Sequence, residues 1–258
     1  MFKELFDYRD LLFMLTLRDL RIRYKQAVMG FLWAIFMPIV AVMAGILIKK
    51  AMAVVSQQPL EMESIISISV KVLPWTFFIS SLRFSVQSLV GNSPLITKIY
   101  FPRAVLPLSS ILACFFDFGI SAAVLTVLLV LFKTGASIYL LWLPVFLLIL
   151  FIYTFGLGLL LSAANLFFRD VKYVVEIILM FGIFFTPVFY EAGSFGRWKA
   201  IMLLNPLGSL LEQINTVIVH QLPPDYFWFA YAALSSFVIF FIGFAIFHKT
   251  EPLFAENI

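Results

Sequence analysis

Six apolar runs of about twenty residues, each closed by a short polar break, constrain this chain more than any other feature. They lie at about 29–48, 72–91, 104–132, 139–165, 172–190 and 226–248. A bilayer core of about 30 Å takes roughly twenty mostly apolar helical residues to cross. Inside it every backbone polar group must be satisfied within the segment, which favours helices. The chain is 63% hydrophobic and 12% charged, whereas a soluble domain averages about 45–50% apolar and about 25% charged. The reading is an all-α integral membrane protein with six transmembrane helices. The runs leave no room for a separate soluble domain, so residues 1–258 form one transmembrane domain. The single cysteine, Cys114, lies in an apolar run, which excludes disulfides and cysteine-based metal sites. The charged, amphipathic start of the chain lacks the apolar core of a signal peptide.

Six spans put both termini on one side. Eleven of the eighteen Lys and Arg residues fall on the termini and the even-numbered loops, six fall on the opposite loops, and Arg83 lies within a span. The positive-inside rule then makes both termini cytoplasmic, along with the loop "FFRDVK". Residues 1–28 are not a span. Phe13, Leu17, Leu20 and Tyr24 recur at helical spacing, while Arg18, Arg21 and Lys25 fall on another face. That pattern, with Arg23 in the same segment, suits an amphipathic helix in the cytoplasmic interface with its cations toward headgroups; a plain positive-inside anchor is the alternative. Residues 29–190 hold spans one to five, 226–248 span six and 249–258 a cytoplasmic tail. Between the last two spans, Asn205-Pro206 reads as an N-cap with proline at the first helical position. Leu207, Leu210, Leu211, Ile214, Val217 and Ile218 follow on one face. Some fourteen residues give about 21 Å, too short to cross. Residues 191–225 are therefore expected to carry a re-entrant or interfacial outer helix, with a short one before it around 198–204. A gating role and an ordinary surface helix both fit it.

Arg83, Asp117 and Glu176 fall in or at the edge of spans. A central charge costs about 2.5–3.5 kcal/mol on insertion scales, so such residues face the protein interior and find partners. Arg83 and Asp117 reach similar depth on spans two and three and are expected to pair, while Glu176 reaches water or Lys172. Aromatic residues concentrate in span one (Phe31, Trp33, Phe36) and span five (Phe181, Phe184, Phe185, Tyr190). Such faces suit a channel wall that guides sugar rings, although aromatics also belong at membrane interfaces. Gly182 and Thr186-Pro187 predict a bent fifth span.

The chain has no G-x-x-x-x-G-K-[ST] sequence to cradle ATP phosphates. His220 and His248 lack metal-ligand spacing, no Ser/His/Asp grouping occurs, and the half-apolar basic N-terminus is no nucleic-acid patch. From the residues alone, a transporter subunit, a scramblase and a lipid-modifying enzyme stay open.

Three stretches narrow this. "LTLRDLRIRYKQAVMGFLWAIFMP", "LPWTFF…SLVGNSPLITKIYFPRAVLPLSS" and "NLFFRDVKYVVEIILMFGIFFTPVFY" resemble, in order and spacing, the ABC-2 type permeases of bacterial polysaccharide export. The likeness is nearest to the O-antigen exporters, with the teichoic-acid and capsule exporters related, and runs from about 15 to 211. It implies a half-transporter of the plasma (inner) membrane. Two copies form a channel above two ATP-binding subunits that hold ATP and magnesium, and this chain holds no cofactor. The substrate is a lipid-linked glycan on an undecaprenyl diphosphate carrier. Arg169, Asp170 and Lys172 then belong to a coupling helix docked on the ATPase, with Lys98, Tyr100 and Arg103 as a second contact. The chain departs from the family pattern at Ala104, where an acid is frequent, and at Met180, where a glutamine is. An ABC-2 permease for a small lipid or drug is the nearest alternative. An enzyme on a polyprenyl-linked substrate would need converging acids, and Asp117, Glu176 and Glu191 do not converge on this topology.

Overall fold

The computed structural model describes residues 2–25, 32–56, 62–131 and 134–255. All regular structure among them is helical. In chain order the helices are α1 (Phe2–Asp7), α2 (Arg9–Tyr24), α3 (Trp33–Ser56), α4 (Met62–Gly91), α5 (Ser93–Lys98), α6 (Val105–Leu131), α7 (Leu143–Phe167), α8 (Val171–Gly182), α9 (Lys199–Leu203), α10 (Pro206–Ile218) and α11 (Tyr226–Thr250). Short 3-10 turns precede α7, precede α9 and follow α11.

Four helical stretches among the described residues are long and apolar enough to cross a membrane: Met62–Gly91, Val105–Leu131, Ile138–Phe167 and Tyr226–Phe254. Helix α3 has 24 residues and carries Lys49 and Lys50 beyond the expected end of the first span. The expected start of that span, residues 29–31 with Phe31, lies outside the described residues. Helix α4 begins ten residues ahead of the expected second span, which draws Lys71 from a loop into a helix.

The expected fifth span is not one continuous helix. Helix α8 has 12 residues, about 18 Å at 1.5 Å per residue, too short to cross the core alone. It stops at Gly182 for a local reason. The Thr186 hydroxyl donates to the Gly182 carbonyl at 2.8 Å, and Pro187 has no N–H to continue the ladder. Thr186 in turn accepts from Asn205 Nδ2 at 2.9 Å, while Asn205 Oδ1 caps α10 by accepting from the Leu207 N–H at 3.1 Å. One asparagine thus joins the exit of α8 to the start of α10.

The core is a layer of α4, α6, α7 and α11, with α10 folded back against α4, α7 and α11 and most of its length buried. The closest approach is between α7 and α11. A Cβ built on Gly156 would meet the Phe240 backbone at 2.5 Å, and one on Gly243 would meet the Gly156 carbonyl oxygen at 2.2 Å. Small residues that let backbones touch are the usual device where packing, not water exclusion, drives helix association.

Candidate functional site

One end of the bundle gathers segments far apart in sequence. Phe254, fully buried behind α11, packs on Phe247 with ring centroids 5.1 Å apart and on Phe167 at 5.9 Å. The Arg103 guanidinium lies over the same ring at 5.9 Å. The Arg103 N–H donates to Glu251 Oε1 at 2.8 Å, and its guanidinium to the Glu251 carbonyl. Glu4, Tyr8, Tyr100, Arg103, His248 and Glu251 border one cavity of about 290 Å³. The N-terminal helices, the "YFPR" turn, the end of α7 and the tail therefore meet at this near end. With alanine at position 104, the Arg103 guanidinium is met by the Glu251 carbonyl and the Phe254 ring, while the Glu251 carboxylate accepts from the Arg103 backbone N–H.

The loop after α7 is held from inside. Asn165, buried, donates Nδ2 to the Val86 carbonyl at 3.0 Å and accepts from the Lys172 N–H at 3.1 Å. That single side chain ties α7, α4 and the first turn of α8 together, so Phe168, Arg169 and Asp170 project from a braced frame and are exposed. Lys98 and Tyr100 are also exposed, Tyr100 at 89%. Lys172 is half-buried, its ammonium 4.7 Å from the centroid of Tyr173. Of the six residues expected to meet a partner, Arg103 and Lys172 are engaged within the chain, while Lys98, Tyr100, Arg169 and Asp170 are exposed.

The structure does not join Arg83 to Asp117. Asp117 accepts from Arg23 Nη1 at 2.9 Å and from the Tyr24 hydroxyl at 2.6 Å, and the Arg23 guanidinium sits 3.9 Å from the Phe84 ring centroid. One turn earlier on α2, Asp19 lies 3.3 and 3.4 Å from the hydroxyls of Ser109 and Ser110, which donate to it. Helix α2 therefore runs along α6 in the same direction, held by polar contacts at Asp19 and at Arg23 and Tyr24. Burial, then the hydrogen bond to Asp117 and its negative charge, push the Tyr24 phenol above its ordinary pKa, so it stays a donor. This corrects the expectation that the cations of α2 all face headgroups. Arg21 and Lys25 are exposed, Arg18 pairs with Asp19 at 2.8 Å, and Arg23 turns inward. Arg83 instead makes a parallel fork with Glu176, Nε to Oε1 and Nη2 to Oε2, both at 2.8 Å. The swap follows from α2 claiming Asp117 and from α8 packing beside α4, neither of which spacing reveals.

Sequence reasoning missed Lys71 altogether. It is 1% exposed, donates to the Tyr190 carbonyl at 2.6 Å, and lies 3.4 Å from Glu212 Oε1 on α10. Glu212 also accepts from the Ala192 N–H at 3.1 Å. The signal available was a lysine one residue from an apolar run and a lone acid on the apolar α10 pattern. Of the aromatic candidates, Trp33 and Phe36 pack edge to face at 5.5 Å and stay exposed, as do Phe181, Phe184 and Phe185. Tyr190 is half-buried and donates to the Phe184 carbonyl at 2.8 Å. Trp33 also borders a cavity of about 350 Å³ with Arg23, Tyr24, Phe84 and Asp117.

Long apolar helices with braced polar loops at one end define a multi-pass membrane protein. No family model matches the chain, but curated relatives do over nearly its whole length. An O-antigen export system permease protein RfbA of Klebsiella pneumoniae is 30% identical over 249 residues, 96% of this chain and 94% of that protein. A second Klebsiella pneumoniae protein of the same description is 29% identical over 249 residues. One from Myxococcus xanthus is 30% identical over 260 residues, 99% of this chain and 98% of that protein. The chain belongs to the O-antigen export permeases, of ABC-2 type.

Proposed function

We propose that this chain is the membrane-spanning subunit of an ATP-driven exporter that moves a lipid-linked, O-antigen-like polysaccharide from the cytoplasm to the outer face of the bacterial inner membrane. The observation that carries the reading is the near end. Lys98 and Tyr100 on one segment and Phe168, Arg169 and Asp170 on another are exposed from a frame braced by Asn165, Arg103 and Phe254. Exposed polar side chains on a rigid support suit a protein partner, since force applied there passes to α4, α7 and α8 instead of being lost in a loose loop. In this reading the near end is cytoplasmic and two ATP-binding subunits supply ATP and magnesium. Two copies of the chain pair, with residues 1–258 acting as one domain. Six crossings are completed by α3 and by α8 together with the turn after it, and α10 serves as a re-entrant outer element. The exposed aromatic residues of α3 and α8 line the route of the glycan, carried on undecaprenyl diphosphate. The chain itself catalyses nothing.

The test is replacement of the chain in a strain lacking it, with surface glycan read by gel and the purified chain examined for a copurifying protein that binds ATP. Restored glycan and a partner at one copy per chain are expected. Unchanged surface glycan in the deletion strain, with altered tolerance of small lipids or drugs, would overturn the substrate assignment.

A further inference from the structure

Thr76, Ser80, Arg83 and Gln87 fall at i, i+4, i+7 and i+11 on α4, within about 60° of one another at 100° per residue. None of the four is buried, while their flanking neighbours Trp75, Phe77, Phe78, Leu82, Ser85 and Val86 are. A polar, open stripe about 16 Å long inside a membrane-crossing helix cannot look at lipid tails without cost. Thr76 and Ser80 border the cavity shared with Arg23 and Asp117. Arg83 and Gln87 continue the stripe toward the near end. Beyond Glu176, whose helix buries Val175 and Leu179, the outward side of α8 carries Tyr173, Ile177, Met180 and Phe181, all exposed.

Arg83 stands where these two faces meet. Its fork with Glu176 leaves the side chains 48% and 40% exposed. Among the described residues its remaining N–H donors meet no acceptor. An ion pair this open contributes little, so its partner can be exchanged. A phosphate brings more charge than a carboxylate and three strong acceptors that suit the guanidinium fork. We propose that Arg83 is a binding residue for a phosphate or diphosphate group borne on a lipid. Glu176 is a displaceable counter-ion that keeps the fork aimed when the site is empty, and the α4 stripe and the α8 apolar face hold the polar and hydrocarbon parts of the ligand. This rests on the export reading, and adds to it the residue that takes the charged group past the near half of the bundle.

The two members of the pair then respond in opposite directions. In phosphatidylcholine nanodiscs, the full-length chain is titrated with farnesyl diphosphate, with farnesol as the uncharged control. Arg83→Gln is expected to bind the diphosphate about tenfold or more weakly, as for loss of a charge-assisted hydrogen bond. Glu176→Gln is expected to bind it about two- to fivefold more tightly, because a competitor of exposed-pair strength is gone. Arg83→Lys keeps the charge without the fork and falls between wild type and Arg83→Gln. Competition by phosphatidic acid at equal concentration identifies a lipid headgroup as the ligand source, and indifference to it identifies a prenyl diphosphate; either supports the phosphate site. Equal weakening by Arg83→Gln and Glu176→Gln, or loss of self-association in both, would overturn it in favour of a structural pair. Unaltered binding in every variant would overturn Arg83 while leaving the export reading standing, since that reading fails only if surface glycan does not depend on the chain.

Discussion

Lys71 keeps an ammonium inside α4 with one carboxylate and one backbone carbonyl as partners. Removing one member of such a pair is costly because the other stays buried and uncompensated, about 3–5 kcal/mol in well-enclosed cases. Glu212 retains 15% exposure and its bond from Ala192, so Lys71→Met is expected near the bottom of that range, about 3 kcal/mol. Lys71→Met with Glu212→Gln is expected to recover most of the loss, since no bare charge remains. Apparent melting temperature in mild detergent reads both, and a double variant no better than the single one would show that the lysine stem, not its charge, matters. The pair was hard to see in sequence because its meaning depends on α10 returning to α4. Read along the chain, Lys71 is only a loop cation beside a span.

The contact between α7 and α11 and that between α2 and α6 are made in opposite ways. The first relies on absent side chains. Gly156→Ala drives a Cβ into the Phe240 backbone, where nothing flexible can yield, and overpacking of this kind costs about 1–3 kcal/mol. Gly119→Ala on α6 meets open space, and is expected to be neutral or to stabilise by up to about 1 kcal/mol through helix propensity. Melting the two variants side by side separates packing from propensity. The second contact relies on Asp117. Asp117→Ala removes the carboxylate that Arg23 and Tyr24 share, so amide exchange through residues 9–24 is expected to quicken while α4 and α7 stay protected. Unchanged exchange in α2 would mean that Asp19 with Ser109 and Ser110 suffices. At this scale much was legible. The ends of α6 and α11 follow the apolar runs closely, and the Asn205-Pro206 start of α10 follows from capping chemistry. The break in α8 was legible only as a bend, because the hydrogen bond from Asn205 to Thr186 that holds it crosses 19 residues. The partner of Asp117 was not legible at all, since 94 residues separate it from Arg23.

At the scale of the molecule, the two ends of the bundle are built for different work. The far end is locked from within: Lys71 and Glu212 hold residues 190–192 to α4 and α10, Gln213 accepts from the Asp225 N–H at 2.7 Å, and Glu63 Oε1 lies 2.9 Å from His220 Nδ1. The near end turns its polar groups outward on a brace. If ATP-binding subunits dock there, a charge reversal that leaves the brace alone should break communication without unfolding the chain. Arg169 meets that condition. It is exposed, and Asn165, not Arg169, holds the loop. Arg103 does not meet it, because Arg103→Glu would set a carboxylate against Glu251 and loosen the tail. Arg169→Glu is therefore expected to reach the membrane at normal level and melt at the wild-type temperature, yet lose surface glycan and no longer couple the partner's ATP hydrolysis to export. Arg103→Glu is expected to lose glycan together with a lower melting temperature. The two readouts, glycan by gel and melting of the purified chain, distinguish a docking residue from a bracing one. Normal export by Arg169→Glu would remove the loop after α7 from the coupling path, leaving Lys98 and Tyr100 as the surface to reverse next.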